Sequence, residues 1–398
     1  MKRRTFIEYS SLASTSMLVP SFLASPFGKK TERSRSGRNL VIIQLNGGND
    51  GLNTVIPYRN DIYYRERPRL AIPQKEALTI TDELAFHPAM EALRPVYDQG
   101  QLAVLHDVGY PNPDRSHFRS MDIWHTASDA DEYRTDGWLG RYLDNQCVGC
   151  EAPYHALEID DSLSLALKGS DKSGFAMSNP DQLQRATENT FLKALGDHQG
   201  DDHDHEEVSY LYKTMIDTQR SARYLYEQAG KHRNTVAYPA NRFGDDLALI
   251  AKLILADTDT RIYYASLTGF DTHANQQGPQ QRLLQQYADG VSAFVRELQE
   301  HDLLDDTLIM TFSEFGRRVA QNGSNGTDHG AANNLFLMGG KLKQRGFVNG
   351  GPDLQNLADG DLKYRVDFRS VYATVLDHWL DTDADAVLGG RFDRLGVV

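Results

Sequence analysis

The sequence predicts an α/β protein whose mostly parallel β-sheet is covered by helices on both faces, which makes a three-layer α/β/α sandwich. Apolar runs alternate with helix-like segments along most of the chain. The first run, LVIIQL at residues 40–45, contains only Gln44 as a polar residue. A strand without polar alternation is typical of a sheet that is buried on both faces, so we expect helices on either side of it.

Six strands and six helices are predicted from these patterns. The strands cover residues 40–45, 101–109, 154–160, 261–269, 307–312 and 334–340. The helices cover residues 87–100, a segment that begins at or near Ser116, and residues near 209–230, 242–256, 280–303 and 368–381. This alternation implies parallel strands joined by helical crossovers.

The composition limits the possible classes of protein. The chain has 398 residues, 40% of them hydrophobic and 24% charged, which excludes fibrous, collagenous and wholly disordered chains. The first 38 residues hold eight Lys or Arg and two Glu, so the rest of the chain is more acidic than the net charge of −13 suggests. An acidic body argues against nucleic acid as a partner, since phosphate binding depends on clustered Lys and Arg.

The N-terminal sequence predicts export. Arg3 and Arg4 precede Thr-Phe-Ile and a mildly apolar stretch, which resembles a twin-arginine signal read by the twin-arginine translocon. Pro20 interrupts this apolar stretch. The stretch is also shorter than the roughly 20 apolar residues of a membrane helix, so we expect no stable membrane span. We expect residues 1–28 to be the signal peptide, 29–39 a solvated linker and 40–398 one domain. The expected location is periplasmic or secreted.

The two cysteines, Cys147 and Cys150, lie together in QCVGC. A structural zinc site needs about four ligands, so this pair alone is too small for one. In an exported protein we favour a local disulfide or two free thiols over redox catalysis.

Polar clusters occur next to four of the predicted strands. The turns NGGNDG, FDTHANQ, SEFGR and NGTDHG supply Asp50, Asp271, His273, Glu314, Asp328 and His329. Because the carboxyl ends of parallel strands meet at one edge of a sheet, these side chains could form a metal site. Mixed carboxylate and imidazole ligands suit zinc, manganese or iron better than calcium. Each turn by itself could instead be a helix cap or an Asx-turn.

With these clusters in order, the chain resembles the twin-arginine-exported bacterial proteins grouped as domain of unknown function 1501. The matching stretches are LNGGNDGLNTVIPY, FHPAMEALRPVYDQGQLAVLHDVGYPNPDRSHF, DGWLGRYLD, TGFDTHANQ, TFSEFGRRVAQNGSNGTDHGAANNLFLMGG, DFRSVYATVLDHWL and VLGGRFDRLGV. That family is similar to the alkaline phosphatase and sulfatase superfamily. The resemblance therefore implies an alkaline phosphatase-like sandwich with metal ligands at its strand ends.

The resemblance also implies roles for individual residues. Asp50 matches the metal aspartate of the first strand, and Asp271, His273 and His329 match later ligands of one metal. The pair Ser313-Glu314 stands where the superfamily has Asp-His, and Glu314 retains a ligating carboxylate.

Nucleophile candidates follow from the same resemblance. Ser116 is the first candidate for the nucleophile, Ser120 is the second, and His117 is a further catalytic candidate. Sulfatases carry a CxPSR segment, which this chain lacks.

These implications predict an exported metal-dependent hydrolase-like protein that acts on phosphate or sulfate monoesters. The expected cofactor is a divalent metal, zinc first, with manganese, iron or calcium as alternatives. The expected substrate is a small anion or a sulfated or phosphorylated glycan. The alternative is a non-catalytic binding or scaffold protein on the same fold with a degenerate metal site.

Overall fold

The computed structural model of the chain describes residues 37–146, 152–187 and 206–398. The predicted signal at 1–28, most of the predicted linker at 29–39, and both Cys147 and Cys150 lie outside the described residues. Export, the domain boundaries and the state of the cysteines therefore stay predictions.

The central sheet contains nine of the described strands. In chain order the strands are β1 (Asn39–Asn46), β2 (Val55–Ile56), β3 (Leu78–Thr79), β4 (Ala85–Phe86), β5 (Leu102–Gly109), β6 (Ala156–Glu158), β7 (Phe175–Ala176), β8 (Ile262–Thr268), β9 (Thr307–Phe312), β10 (Asn333–Met338), β11 (Gly346–Phe347), β12 (Leu357–Ala358), β13 (Asp361–Leu362) and β14 (Val366–Asp367). The sheet order is β11-β5-β10-β9-β1-β8-β6-β7, and β14 also pairs with β5. Strand β10 runs antiparallel to β9 and β5, while the other pairs in this sheet are parallel. The predicted mostly parallel sheet is confirmed.

Helices lie at or near the six predicted segments, and four further described helices lie outside them. In chain order they are α1 (Asp61–Glu66), α2 (Arg94–Asp98), α3 (His117–Thr126), α4 (Trp138–Gln146), α5 (Pro180–Thr187), α6 (Glu206–Ala229), α7 (Arg242–Leu255), α8 (Gln277–Glu300), α9 (Phe368–Thr374) and α10 (Ala384–Leu388). The helix predicted at 87–100 is a 3-10 turn, Pro88–Leu93, followed by α2. Pro95 lacks an N–H, so a continuous α-helical ladder cannot pass through this segment.

Two hydrophobic clusters cover the two faces of the sheet. On β1, Val41 and Ile43 pack into a cluster with α7 and α8. The alternate residues Leu40 and Ile42 pack into a cluster with α3, α4 and α9. Because successive side chains of a strand point to opposite faces, β1 is buried on both sides, as its sequence predicts. The three-layer α/β/α architecture is confirmed.

The strand directions bring the predicted polar clusters to one edge of the sheet. Strands β1, β8 and β9 end at this edge, and the antiparallel β10 begins there. Strand β5 runs antiparallel to β10, so it also ends at this edge, shortly before α3. The four turns and the start of α3 therefore surround one region.

No helix among the described residues has the length and hydropathy of a membrane-spanning segment.

Candidate metal centre

His117, Asp271 and His329 form a compact group at this edge. Their ligand atoms all lie within 4.8 Å of one another. His117 is the first residue of α3, Asp271 follows β8, and His329 precedes β10. Three separate elements thus supply two imidazoles and one carboxylate.

The spacing inside this group suits a bound ion. The Oδ1 atom of Asp271 lies 3.4 Å from Nε2 of His117 and 3.2 Å from Nε2 of His329. His273 is adjacent, with its Nε2 atom 3.1 Å from the same oxygen and 2.9 Å from Nε2 of His329. Two ligands at about 2.0–2.1 Å from a tetrahedral ion lie about 3.3 Å apart. The donor atoms are therefore separated by distances expected of atoms that share one ion.

Both histidines of the group are held with Nε2 facing Asp271. The Nδ1 atom of His329 donates to the backbone carbonyl of Arg115 at 2.7 Å. The Nδ1 atom of His117 lies 2.9 Å from Oε1 of Glu314. The Nε2 atom of His117 is buried and has no hydrogen-bond partner among the described residues. Metal-binding histidines are commonly oriented through the other ring nitrogen in this way, and the free Nε2 atom fits a ligand.

Glu314 contacts His117 from inside the sheet edge. Its side chain is fully buried, and Oε1 also accepts from the backbone N–H of Gly47 at 2.9 Å. Oε2 accepts from Oγ of Ser313 at 3.2 Å. The hydrogen bond to Glu314 raises the pKa of His117. Glu314 is placed to orient His117 and to make its imidazole a more basic metal ligand.

Arg317 fixes the charge of Asp271. Its buried guanidinium donates to Oδ1 of Asp271 at 2.9 Å. Burial opposes the charged carboxylate, but hydrogen bonds from Arg317 and His329 outweigh it and hold the pKa of Asp271 below its ordinary value. The remaining donors of Arg317 go to the carbonyls of Gly47, Gly48, Phe270 and Thr327. Arg317 therefore positions Asp271 and is not free to meet a substrate.

Asp328 lies at the outer side of the group. Its Oδ1 atom accepts from Nδ2 of Asn322 at 3.0 Å and lies 3.4 Å from Nδ1 of His273. The hydrogen bond from Asn322 lowers the pKa of Asp328, which keeps a negative charge beside His273. Asp328 is thus placed behind His273.

Asp50 lies in a separate, fully buried network. Its Oδ2 atom accepts from Nη1 of Arg67 at 2.6 Å and also from Nε2 of Gln276, while Oδ1 accepts from the backbone N–H of Asn53 at 3.4 Å. The structure does not bring the Asp50 carboxylate into the group around Asp271. Its oxygens already have three donors.

The glycine-rich turn before Asp50 packs closely against the backbone at Asp271. Gly47 has a φ of +120°, and a Cβ atom at this position would lie 2.4 Å from the backbone nitrogen of Asp271. Only glycine permits this backbone angle together with such close approach. The turn therefore lets the ends of β1 and β8 pack together and holds Asp271 in place.

The two serine candidates differ in access. Ser116 is the N-cap residue of α3 and is exposed, and its side chain makes no capping hydrogen bond. Ser120 is fully buried, donates from Oγ to the carbonyl of Glu314 at 2.8 Å and shares a 2.8 Å hydrogen bond with the hydroxyl of Tyr110. Ser116 presents a hydroxyl next to His117, whereas the Ser120 hydroxyl connects α3 to the turn after β9.

The sequence did not predict the hydrogen-bond partners that place Asp50 in a network of its own, apart from the group around Asp271. Arg67 lies in a segment without a recognisable motif, and Gln276 ends the FDTHANQ turn, in which only Asp271 and His273 were predicted as ligands. Their pairing with Asp50 spans 17 and 226 positions. A buried aspartate needs a cationic partner, but sequence alone does not show which arginine supplies it. His117 had a better signal, since it opens the helix that follows β5 at the ligand-bearing edge.

The fold and this group define an α/β/α protein with a candidate metal centre. The chain belongs to the family described as protein of unknown function DUF1501, whose model matches residues 37–395.

Several solved structures are similar in fold to this chain. A sulfatase from Pseudoalteromonas sp. has 10% identity and a TM-score of 0.38, covering 90% of this chain and 70% of that one. The C-terminal periplasmic domain of EptC from Escherichia coli, in complex with Zn, has 9% identity and a TM-score of 0.34, covering 77% and 73%. A protein in the alkaline phosphatase superfamily from Vibrio parahaemolyticus has 10% identity and a TM-score of 0.32, covering 77% and 60%.

A comparison with curated protein sequences found no match.

Proposed function

We propose that the chain is an exported, metal-dependent hydrolase of phosphate or sulfate monoesters. The observation that carries the proposal is the group of His117, Asp271 and His329, in which the buried Nε2 atom of His117 has no hydrogen-bond partner among the described residues. These residues would hold a divalent ion, zinc first, with His273 next to them. When bound, such an ion stabilises negative charge on the anionic group of an ester.

Ser116 is the proposed nucleophile. It is exposed at the start of α3, adjacent to His117, and the first backbone N–H groups of a helix favour an anion at this position. Attack by Oγ on phosphorus or sulfur would form a seryl ester and release the alcohol. Water would then cleave the seryl ester, return the hydroxyl and release the inorganic anion. This route divides one difficult step into two easier ones.

Purified protein tests the proposal directly. Zinc, manganese, iron and calcium are measured in the protein as isolated, and hydrolysis of aryl phosphates and aryl sulfates is followed before and after chelation. We expect bound metal and hydrolysis that disappears on chelation and returns when the metal is restored. Protein that binds no metal contradicts the proposal. Bound metal without hydrolysis of either ester class favours the alternative, a binding or scaffold protein.

The role of Ser116 has its own test. Ser116→Ala should retain the metal and lose most of the turnover, whereas Ser120→Ala should mainly lower stability because the Ser120 hydroxyl is buried in hydrogen bonds. Full activity of Ser116→Ala would remove it from the nucleophile position.

Export is tested in the cell that produces the protein. The twin-arginine motif is read as a sequence rather than as charge, so changing Arg3 and Arg4 to Lys should leave the protein in the cytoplasm. Unchanged delivery to the periplasm would overturn this part of the proposal.

A further inference from the structure

A cavity of about 720 Å³ lies beside the candidate metal centre. It is bordered by the end of β5, the loop before α3, the residues after His329 and the β12–β13 hairpin. Arg115 connects the cavity to the metal group, because it lines the cavity and its backbone carbonyl accepts from Nδ1 of His329 at 2.7 Å. The cavity therefore adjoins the metal group through Arg115 and through Ala331, which lies two residues after His329.

The wall of the cavity contains an exposed aromatic side chain. Tyr364 is 40% exposed and lines the cavity together with the small residues Gly109, Ala331 and Ala332. Gly109 leaves room for Tyr364, since a Cβ atom there would lie 3.0 Å from the Tyr364 Cβ atom. Ligand pockets commonly combine an aromatic surface with a few polar groups that fix orientation.

One ion pair joins two charged residues of the cavity, Arg115 and Asp361. Asp361 accepts from Arg115, and its Oδ1 atom lies 3.5 Å from Nε of Arg318. Nζ of Lys363 donates to Oδ1 of Asn356 at 2.6 Å. The cavity lining carries three carboxylates, Asp114, Asp359 and Asp361, and two cations, Arg115 and Lys363, so its net charge does not favour a second anionic group.

The remaining polar groups suit hydroxyls. Asp114 and Asp359 supply carboxylate oxygens, and Asn112 supplies an amide. An alkyl chain or a plain aryl ring would displace water from these groups without replacing its hydrogen bonds, which costs affinity. A polyhydroxylated ring replaces those bonds and still offers an apolar face to Tyr364.

We propose that this cavity binds the alcohol part of the ester as a sugar ring with free hydroxyl groups, and that Tyr364 is a specificity-determining residue for it. The inference rests on the proposed function, because it assigns the ester's charged end to the metal group. A volume of about 720 Å³ falls within the roughly 300–1,000 Å³ range of small-molecule pockets and has room for one or two sugar rings.

Matched esters and matched variants test the pocket in the metal-loaded protein. Hydrolysis of glucose 6-phosphate is compared with that of phenyl phosphate, and glucose 6-sulfate with phenyl sulfate. Tyr364→Ala should lower kcat/KM for the sugar ester by about 10-fold or more, as expected for a lost aromatic contact of about 1.4 kcal/mol, and should change the phenyl ester less than about twofold. Tyr364→Phe should retain most of the sugar ester activity. Tyr226→Ala, at a tyrosine of similar exposure that does not line this cavity, should change neither.

Binding of glucose 6-phosphate and glucose 6-sulfate, measured by calorimetry, separates this inference from the proposed function. If no ester is hydrolysed but one of these sugars binds and Tyr364→Ala weakens the binding, the pocket stands and the hydrolase proposal fails. Equal losses for sugar and phenyl esters in Tyr364→Ala would overturn the pocket and leave the hydrolase intact. A wild-type preference for phenyl esters, or sugar binding that does not depend on Tyr364, overturns the pocket as well.

Discussion

Two carboxylates at neighbouring strand ends, Asp271 after β8 and Asp50 after β1, have opposite surroundings. Asp271 is half exposed and faces three imidazole Nε2 atoms. Asp50 is fully buried and accepts from Arg67, Gln276 and the backbone of the turn. Both residues follow a parallel strand, so position in the fold does not distinguish them.

The difference lies in which donor atoms remain unpaired. Around Asp271 the buried Nε2 atom of His117 has no hydrogen bond among the described residues. Around Asp50 the ion pair with Arg67 supplies the cation that a buried carboxylate requires. Converging imidazole and carboxylate atoms that include an unpaired buried nitrogen indicate a ligand site, whereas a fully buried carboxylate with both oxygens paired indicates a structural role.

The largest expected effect is loss of the metal in Asp271→Asn. The amide keeps an oxygen but loses the charge that binds a cation, so metal affinity should fall by more than about 100-fold and hydrolysis should disappear. Chelator competition measures the affinity. Asp160→Asn is the control, because Asp160 is also partly exposed and ion-paired, here with Arg242 at 3.2 Å. Metal affinity that is equal in the two variants would contradict the metal centre.

The next effect should be a loss of folding stability in Arg67→Met. Removing one partner of a buried pair leaves an uncompensated charge on Asp50, which costs about 3–5 kcal/mol in free energy of unfolding. Urea denaturation measures this cost. Arg94→Ala breaks an exposed pair with Asp98 and should cost less than about 0.5 kcal/mol.

Asp50→Asn tests whether Asp50 is a metal ligand or a member of a buried structural network. The buried network predicts a less stable protein that still binds its metal. A stable protein with weakened metal binding would instead restore Asp50 as a ligand.

A third carboxylate, Glu158, sharpens the comparison because it is buried and forms no salt bridge within the described part of the chain. Its Oε2 atom accepts from the backbone N–H of Ser164 at 2.6 Å, and burial raises its pKa from 4.5 to about 7. The folded protein therefore favours the protonated form. The stability that protonated Glu158 contributes to the folded protein is complete below about pH 4.5 and is lost as the pH rises through about 7.

Glu158→Gln should remove that pH dependence. At pH 8 the variant should be more stable than the parent by up to about 3 kcal/mol, and the gain should shrink toward pH 5. Urea denaturation at both values measures it. A gain that is the same at pH 5 and pH 8 would mean that Glu158 does not titrate in this range.

The smallest expected effect concerns Glu314, which contacts the metal group only through His117. Glu314→Gln should weaken metal affinity by about 10- to 100-fold because His117 loses its carboxylate partner. Glu297→Gln is the matched control, since Glu297 is also fully buried and accepts backbone N–H groups, those of Thr235 and Val236. If both variants lose stability alike and neither loses metal affinity, Glu314 has only a structural role.

The sequence by itself determined the main strands, the long helices and the layered fold. The uninterrupted apolar run of β1 predicted a strand buried on both faces, and the structure places a hydrophobic cluster on each side of it. The polar turns after β1, β8 and β9 were also visible, since strands and turns are encoded by local patterns of residue type.

Only the tertiary structure decided which polar residues meet. His329 precedes its strand, and it reaches Asp271 because β10 runs antiparallel, a direction that no local pattern specified. Asp50 and Asp271 both follow strands, yet Arg67 pairs with one of them and His117 faces the other. Such pairing depends on contacts between residues far apart in the chain, so the burial and charge of each carboxylate are fixed only when the whole sheet edge has assembled.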